Sequence, residues 1–177
     1  MTSVKKVCLA FAAAAFACVM AGNAVQAQSA AEKPILTITG KINMQAGSTG
    51  SASSDEGAVF DRNKLEALGM ETIETKTPWY KEVVKFEGVS LDKLMQSVGA
   101  SGDRVVAIAL NDYSVEIPME DFAKHKAILA LKRDGEYMSV RDKGPLFVVY
   151  PYDSDPELRS QKFYSRSAWQ VKQLIVK

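Results

Sequence analysis

The scarcest reactive side chains in this 177-residue chain are two cysteines and one histidine, and their positions restrict the available chemistry. Cys8 and Cys18 both fall in an apolar N-terminal stretch, so no thiol remains from Gln28 onward for nucleophilic attack, a disulfide or metal ligation. A four-ligand Cys/His zinc site is excluded by number alone. A serine nucleophile would need His125, which sits between Lys124 and Lys126. There it reads as an exposed residue at a helix C-terminus, where the helix dipole favours cations. Asp153, Asp155 and Glu157 form the most evident acidic cluster. They lack the glycine and terminal glutamate of a calcium loop and read as a solvated acidic loop. Neither a phosphate-loop nor a dinucleotide glycine pattern occurs. No residue is assigned a catalytic role, and none is assigned to a metal.

What the chain does offer is aromatic and guanidinium groups at turns. Trp79-Tyr80 follows Pro78, Tyr113 follows the Asn111-Asp112 turn, Tyr150 and Tyr152 bracket Pro151, and Arg166 precedes Trp169 by three residues. Rings that stack, with turn carboxylates and guanidinium groups that read an edge, suit a flat polar heterocycle. Core packing is the competing reading for each aromatic, and the favoured one for Trp169.

Charge adds little selectivity. With 22 Lys+Arg against 21 Asp+Glu, the chain has no field for gripping a polyanion, and nucleic acid is not an expected partner. Residues 1–27 read as a cleaved secretory signal: Lys5 and Lys6, an apolar run from Val7 to Ala21, and small residues at Val25 and Ala27. That reading predicts a 150-residue mature domain, residues 28–177, with a net charge of −1, no cysteine and a periplasmic location. Such a chain is long enough to be stabilised by its core without disulfides.

The elements that must position these residues are short. A strand is expected at Ile35 to Ile42, a loop at Gln45 to Ala58, and a helix at Phe60 to Leu68 capped by Asp61 and stapled by Phe60 and Leu65. Strands follow at Glu71 to Thr77 and at Val83 to Phe86, the second closed by a Glu87-Gly88 turn. Ser90 caps a helix whose Leu91, Leu94, Met95 and Val98 recur at helical spacing, ended by Gly99. Val105 to Leu110 reads as a buried strand, turned by Asn111-Asp112 into Tyr113 to Ile117. A helical turn from Pro118 to Lys124 leads to Ile128 to Leu131, paired across Asp134-Gly135 with Tyr137 to Val140. Leu146 to Tyr150 and Trp169 to Val176 are further strands, and Pro151 to Ser165 shows no periodicity. The class is α+β, a mainly antiparallel or mixed β core with two or three short helices.

One ordered series is more specific. It begins Thr75-x-Thr77-x-Trp79, then Phe86-Glu87-Gly88-Val89-x-Leu91-x-x-Leu94, then Asn111-Asp112-Tyr113 with Ile117-Pro118-x-x-Asp121. Ile128-Leu129-Ala130 with Asp134-Gly135 follows, then Gly144-Pro145-Leu146 leading to Tyr150-Pro151, and Arg166-x-x-Trp169-Gln170. In this order it resembles the sulfite-oxidase-type molybdopterin-binding fold, from Ile35 to Val176.

Full enzymes of that fold ligate molybdenum through a cysteine. Its short periplasmic members include pterin-binding proteins that signal to membrane-bound cyclic-di-GMP enzymes. The resemblance thus implies a pterin-like ligand without a thiolate-held molybdenum, and a membrane signalling partner such as a cyclic-di-GMP enzyme or sensor kinase. It also implies site roles. Trp79 and Tyr113 would stack on or wall the ring, with Tyr152 beside them, and Asp112 would accept from ring N–H groups. Arg141 or Arg166 would donate to a ring oxygen or side-chain hydroxyl, with a structural link beside Trp169 as the competing role for Arg166. Two further readings stay open: a molybdenum-cofactor oxidoreductase or its accessory subunit, and a ligand-free adaptor.

Overall fold

The alternation of Leu36 and Ile38 with Thr37 and Thr39 gives strand β1 (Leu36–Gly40), with both aliphatic side chains buried. In this computed structural model the described residues are 33–43, 51–53 and 57–177. The signal-like segment with Cys8 and Cys18, and the start of the expected Gln45 loop, lie outside them. The rest of that expected loop is not loop throughout, because β2 (Ser51–Ser53) and β3 (Gly57–Phe60) pair with each other and extend the sheet beyond β1.

Helix α1 (Arg62–Glu66) starts where its cap dictates, with Asp61 accepting the Lys64 N–H at 2.8 Å. Phe60 and Leu65, the staple pair, are both fully buried. Strands β4 (Met70–Thr77) and β5 (Tyr80–Ser90) form a long hairpin that places Pro78 and Trp79 at its tip. The Glu87-Gly88 pair does not turn the chain as expected. It lies within β5, at a register shift against the next strand, where a Cβ on Gly88 would stand 2.2 Å from the Leu129 carbonyl oxygen. Glycine permits this close approach of strands, which explains its presence better than a turn does.

Ser90 caps α2 (Leu91–Ser97), which buries Leu91, Leu94 and Met95. Strands β6 (Arg104–Ala109) and β7 (Ser114–Pro118) form the expected hairpin, but β6 alternates: Val105, Ala107 and Ala109 are buried, and Leu110 just beyond is 44% exposed. Helix α3 (Glu120–His125) leads into β8 (Ile128–Arg133) and β9 (Glu136–Tyr137). After a 3-10 turn at Val140–Asp142 come β10 (Phe147–Val149), a second such turn at Pro156–Leu158, α4 (Gln161–Arg166) and β11 (Val171–Val176).

Two sheets result. One has six strands in the order β2-β3-β1-β11-β6-β7, with β1 and β11 parallel and the other pairs antiparallel. The other follows β10-β8-β5-β4, with β9 beside β8, and is antiparallel throughout. A single hydrophobic core takes side chains from both, including Ile38 and Leu174 from the first and Phe86 and Phe147 from the second. The α+β class with a mixed, mainly antiparallel β core is the observed one. Helix α4, like β2 and β3, lies where the sequence pattern shows no element.

Candidate aromatic cleft

Trp79 is held at the hairpin tip by its own turn, its backbone N–H donating to Thr77 Oγ1 at 3.3 Å. Its half-buried ring meets four others edge to face: Phe147 at 5.4 Å, Trp169 at 5.7 Å, Tyr164 at 6.0 Å and Tyr152 at 6.2 Å between centroids. This is the geometry that aromatic quadrupoles favour. Above the cluster opens a cleft of about 460 Å³, walled by Trp79, Trp169, Tyr113, Asn111, Tyr164 and Ser165.

Three segments converge there. The β4–β5 tip brings Trp79, and the β6–β7 turn brings Asn111 and the 53% exposed Tyr113. Helix α4 presents Gln161, Tyr164 and Ser165, which share one face by their i, i+3, i+4 spacing. None of the lining residues carries a charge. The polar groups are the Asn111 and Gln161 amides, the indole N–H groups and several hydroxyls, so the cleft offers stacking faces and neutral hydrogen-bonding groups.

The support of α4 is electrostatic and buried. Arg166 donates to Asp121 Oδ2 of α3 at 2.7 Å, and the Tyr150 hydroxyl donates to the same oxygen at 3.0 Å. Ser167 donates to the Phe163 carbonyl at 2.7 Å and lies 2.5 Å from the Tyr152 hydroxyl. Burial pushes the Tyr150 hydroxyl far above its ordinary value, and the Asp121 carboxylate adds to the effect. Burial likewise raises Tyr152.

Of the residues the sequence nominated, Trp79 and Tyr113 stand on the cleft wall. Tyr152 is fully buried against the Trp79 ring with its hydroxyl engaged by Ser167, so it supports the wall without lining it. Asp112 does not face the cleft: its carboxylate pairs with Lys172 on β11 at 2.7 Å, which holds it below the usual carboxylate range. Arg166 is the structural link, to Asp121 instead of Trp169. Arg141 is exposed in the 3-10 turn, away from the lining, with no ion pair among the described residues.

Three other expectations change. Trp169, read as core, is 38% exposed and forms a cleft wall, with Lys143 Nζ 5.1 Å from its ring. His125, read as exposed, is buried edge-on against Phe163 at 4.9 Å. The acidic loop is structural in part, Asp153 accepting the Lys76 N–H at 2.6 Å and Asp155 that of Glu157 at 2.8 Å. Sequence reasoning also missed Asn111 as a wall residue, along with Gln161, Tyr164 and Ser165. The one available signal was Ser160 preceding Phe163 and Tyr164, a helix-start residue type whose hydroxyl instead donates to the Glu157 carbonyl at 2.8 Å, before a helix too short to show a period.

A pterin-type group fits this donor set in part. The cleft provides faces and neutral edges for the heterocycle. Residues 33–177 contain no cysteine, and among the described residues no group of three or more His, Cys, Asp or Glu could hold a metal ion.

Comparison with known proteins agrees with the fold. The sequence profile described as "Oxidoreductase molybdopterin binding domain" matches residues 61–153. No curated protein matches the chain. Among the solved structures that match is the sulfane dehydrogenase SoxCD from Paracoccus pantotrophus, with 17% identity and a TM-score of 0.55 over 80% of this chain. The chain spans 37% of the length of that one, and the likeness is one of fold.

Proposed function

The chain belongs to the oxidoreductase molybdopterin-binding domain family, and from that premise we propose that it is the pterin-holding component of a molybdenum-cofactor oxidoreductase, as a cofactor-binding subunit or an accessory one. The observation that carries the proposal is the uncharged aromatic cleft between Trp79, Tyr113 and Trp169. When bound, a pterin supplies a redox-active ring. The residues' part is to position it: Trp79 and Trp169 pack against it and exclude water, while Asn111, Gln161 and Tyr164 offer hydrogen bonds to its edge. Asn111 Oδ1 already accepts the Tyr113 N–H at 3.2 Å, which aims its amide N–H₂ elsewhere.

The absence of cysteine from residues 33–177 favours a second reading. In it the chain binds a pterin without thiolate-held metal and presents it to a membrane signalling partner. Under both readings residues 1–27 direct export to the periplasm, so the exported protein would begin at Gln28.

One preparation separates them. The protein is purified from the periplasm of its source, its N-terminus sequenced, its molybdenum measured, and a denatured extract examined for pterin fluorescence. Stoichiometric molybdenum with pterin supports the first reading, and pterin without molybdenum the second. Neither, in protein that also fails to bind added pterin, overturns both.

A further inference from the structure

Strand β4 has an edge that nothing among the described residues pairs. It is outermost in its sheet, bonded on one side to β5. The register sets Glu74 opposite Lys85, Thr72 opposite Glu87 and Met70 opposite Val89. Lys85 donates its backbone N–H to Asp134 Oδ1 at 3.1 Å and accepts the Asp134 N–H at 2.8 Å, both on the side away from β4. Opposed residues in an antiparallel ladder alternate between bonded and non-bonded pairs. Glu74–Lys85 is therefore non-bonded, and so are Thr72–Glu87 and Met70–Val89. Their β4 members direct N–H and C=O outward, three donors and three acceptors along about 17 Å of strand.

No described backbone group takes them. Further along, the same edge is closed, the Lys76 N–H donating to Asp153 and the Asp153 N–H to Thr75 Oγ1 at 3.1 Å. The loop after β10 thus covers the C-terminal end of β4 and leaves the N-terminal half open.

That open half forms one wall of a groove of about 510 Å³, and the far wall is the end of α3 with the loop from Pro151 to Leu158. A chain laid along that edge would also meet the end of α3 and the Pro151 to Leu158 loop. Its charges are unevenly matched. Glu71 pairs with Lys93 at 2.7 Å, Glu74 stands opposite Lys85 across the hairpin, and Asp155 accepts the Glu157 N–H of its own turn. Lys124 and Lys126, on the far wall, have no carboxylate partner among the described residues.

We propose that this edge binds, by strand addition, an extended acidic segment of a partner protein. The main chain of Met70, Thr72 and Glu74 supplies the ladder, and Lys124 and Lys126 select carboxylates facing α3. The proposal does not depend on what the aromatic cleft holds.

The test uses the full chain and two pools of acetylated octapeptides with Val, Ile, Thr or Tyr at alternate positions. One pool carries Glu or Asp between them, the other Lys or Arg. The expected result is binding of the acidic pool at least tenfold tighter than the basic one, with slowed amide exchange at Met70, Thr72 and Glu74. The double variant Lys124→Glu/Lys126→Glu, at surface positions that leave the fold intact, should lose that preference. Thr72→Pro, which removes one edge donor, should weaken binding of the acidic pool. Equal binding of the pools, an unaffected preference in the double variant, or exchange protection elsewhere would overturn the proposal. A peptide-free dimer that protects the same amides would also overturn it.

Discussion

Trp79 and Trp169 touch edge to face, yet the fold depends on them unequally. Trp79 is the hub of the aromatic cluster, in contact with four rings, while Trp169 leaves more than a third of its surface open to the cleft. Truncating a packed tryptophan removes its transfer energy and leaves a cavity, so Trp79→Ala should cost about 3 kcal/mol of stability. Trp169→Ala should cost roughly 1 kcal/mol, because the removed side chain is partly solvated already. Ligand affinity should fall in both, by tenfold or more. Urea midpoints with quenching titrations of an added pterin check this. Weak binding by a stably folded Trp169→Ala identifies that residue as a contact, whereas unchanged affinity removes it from the site. Asp112 shows the reverse relation of pattern to role. It sits next to a wall residue, but its left-handed turn and its pairing with Lys172 turn its carboxylate away from the cleft.

Helix α4 brings Gln161, Tyr164 and Ser165 to the cleft wall on six residues, too few to hold a helix by propensity. Its C-terminal end is fixed by Arg166 on Asp121, a carboxylate 5% exposed. Arg166→Met leaves that buried charge with only the Tyr150 hydroxyl, and should cost about 3 kcal/mol. Arg166→Met/Asp121→Leu removes both charges and should restore most of the loss. Because Gln161, Tyr164 and Ser165 move with α4, Arg166→Met should also weaken ligand binding. A double variant no more stable in urea than the single one would count against the ion pair as the anchor.

Element boundaries with a cap were legible in the sequence: Asp61 and Ser90 each accept the N–H their position predicts. Helix α4 was not, because a helix this short turns only Phe163 into the core and so displays no period. Gly88 misled for a different reason. A turn and a close strand approach both select glycine, and only the long-range register separates them. Gly88→Ala, whose Cβ would collide with the Leu129 backbone, should therefore destabilise by about 3 kcal/mol, where an exposed turn glycine would tolerate the change. Thermal melts of the variant distinguish the two.

At the scale of the molecule, one core joins both sheets, and two fully buried tyrosines, Tyr150 and Tyr152, sit in it beside the cleft. Both keep their protons when folded, since burial raises them above the ordinary value of 10, whereas in the unfolded chain they ionise near it. Above pH 10 the native state therefore binds more protons than the unfolded one. The contribution to stability is complete below that pH and is lost as the pH rises. Each tyrosine removes about 1.4 kcal/mol per pH unit, so the pair removes about 2.7. Urea-derived stabilities between pH 10 and 12 should fall at least that steeply, and Tyr152→Phe should lower the slope by about 1.4 kcal/mol per pH unit. A bound ligand opposes the loss. A pterin held at a hundred times its dissociation constant adds about 2.7 kcal/mol to the folded state, which should raise the alkaline unfolding midpoint by about one pH unit. If added pterin leaves that midpoint unmoved although Tyr152→Phe shifts it, the buried tyrosines control the stability of a fold whose cleft does not bind pterin.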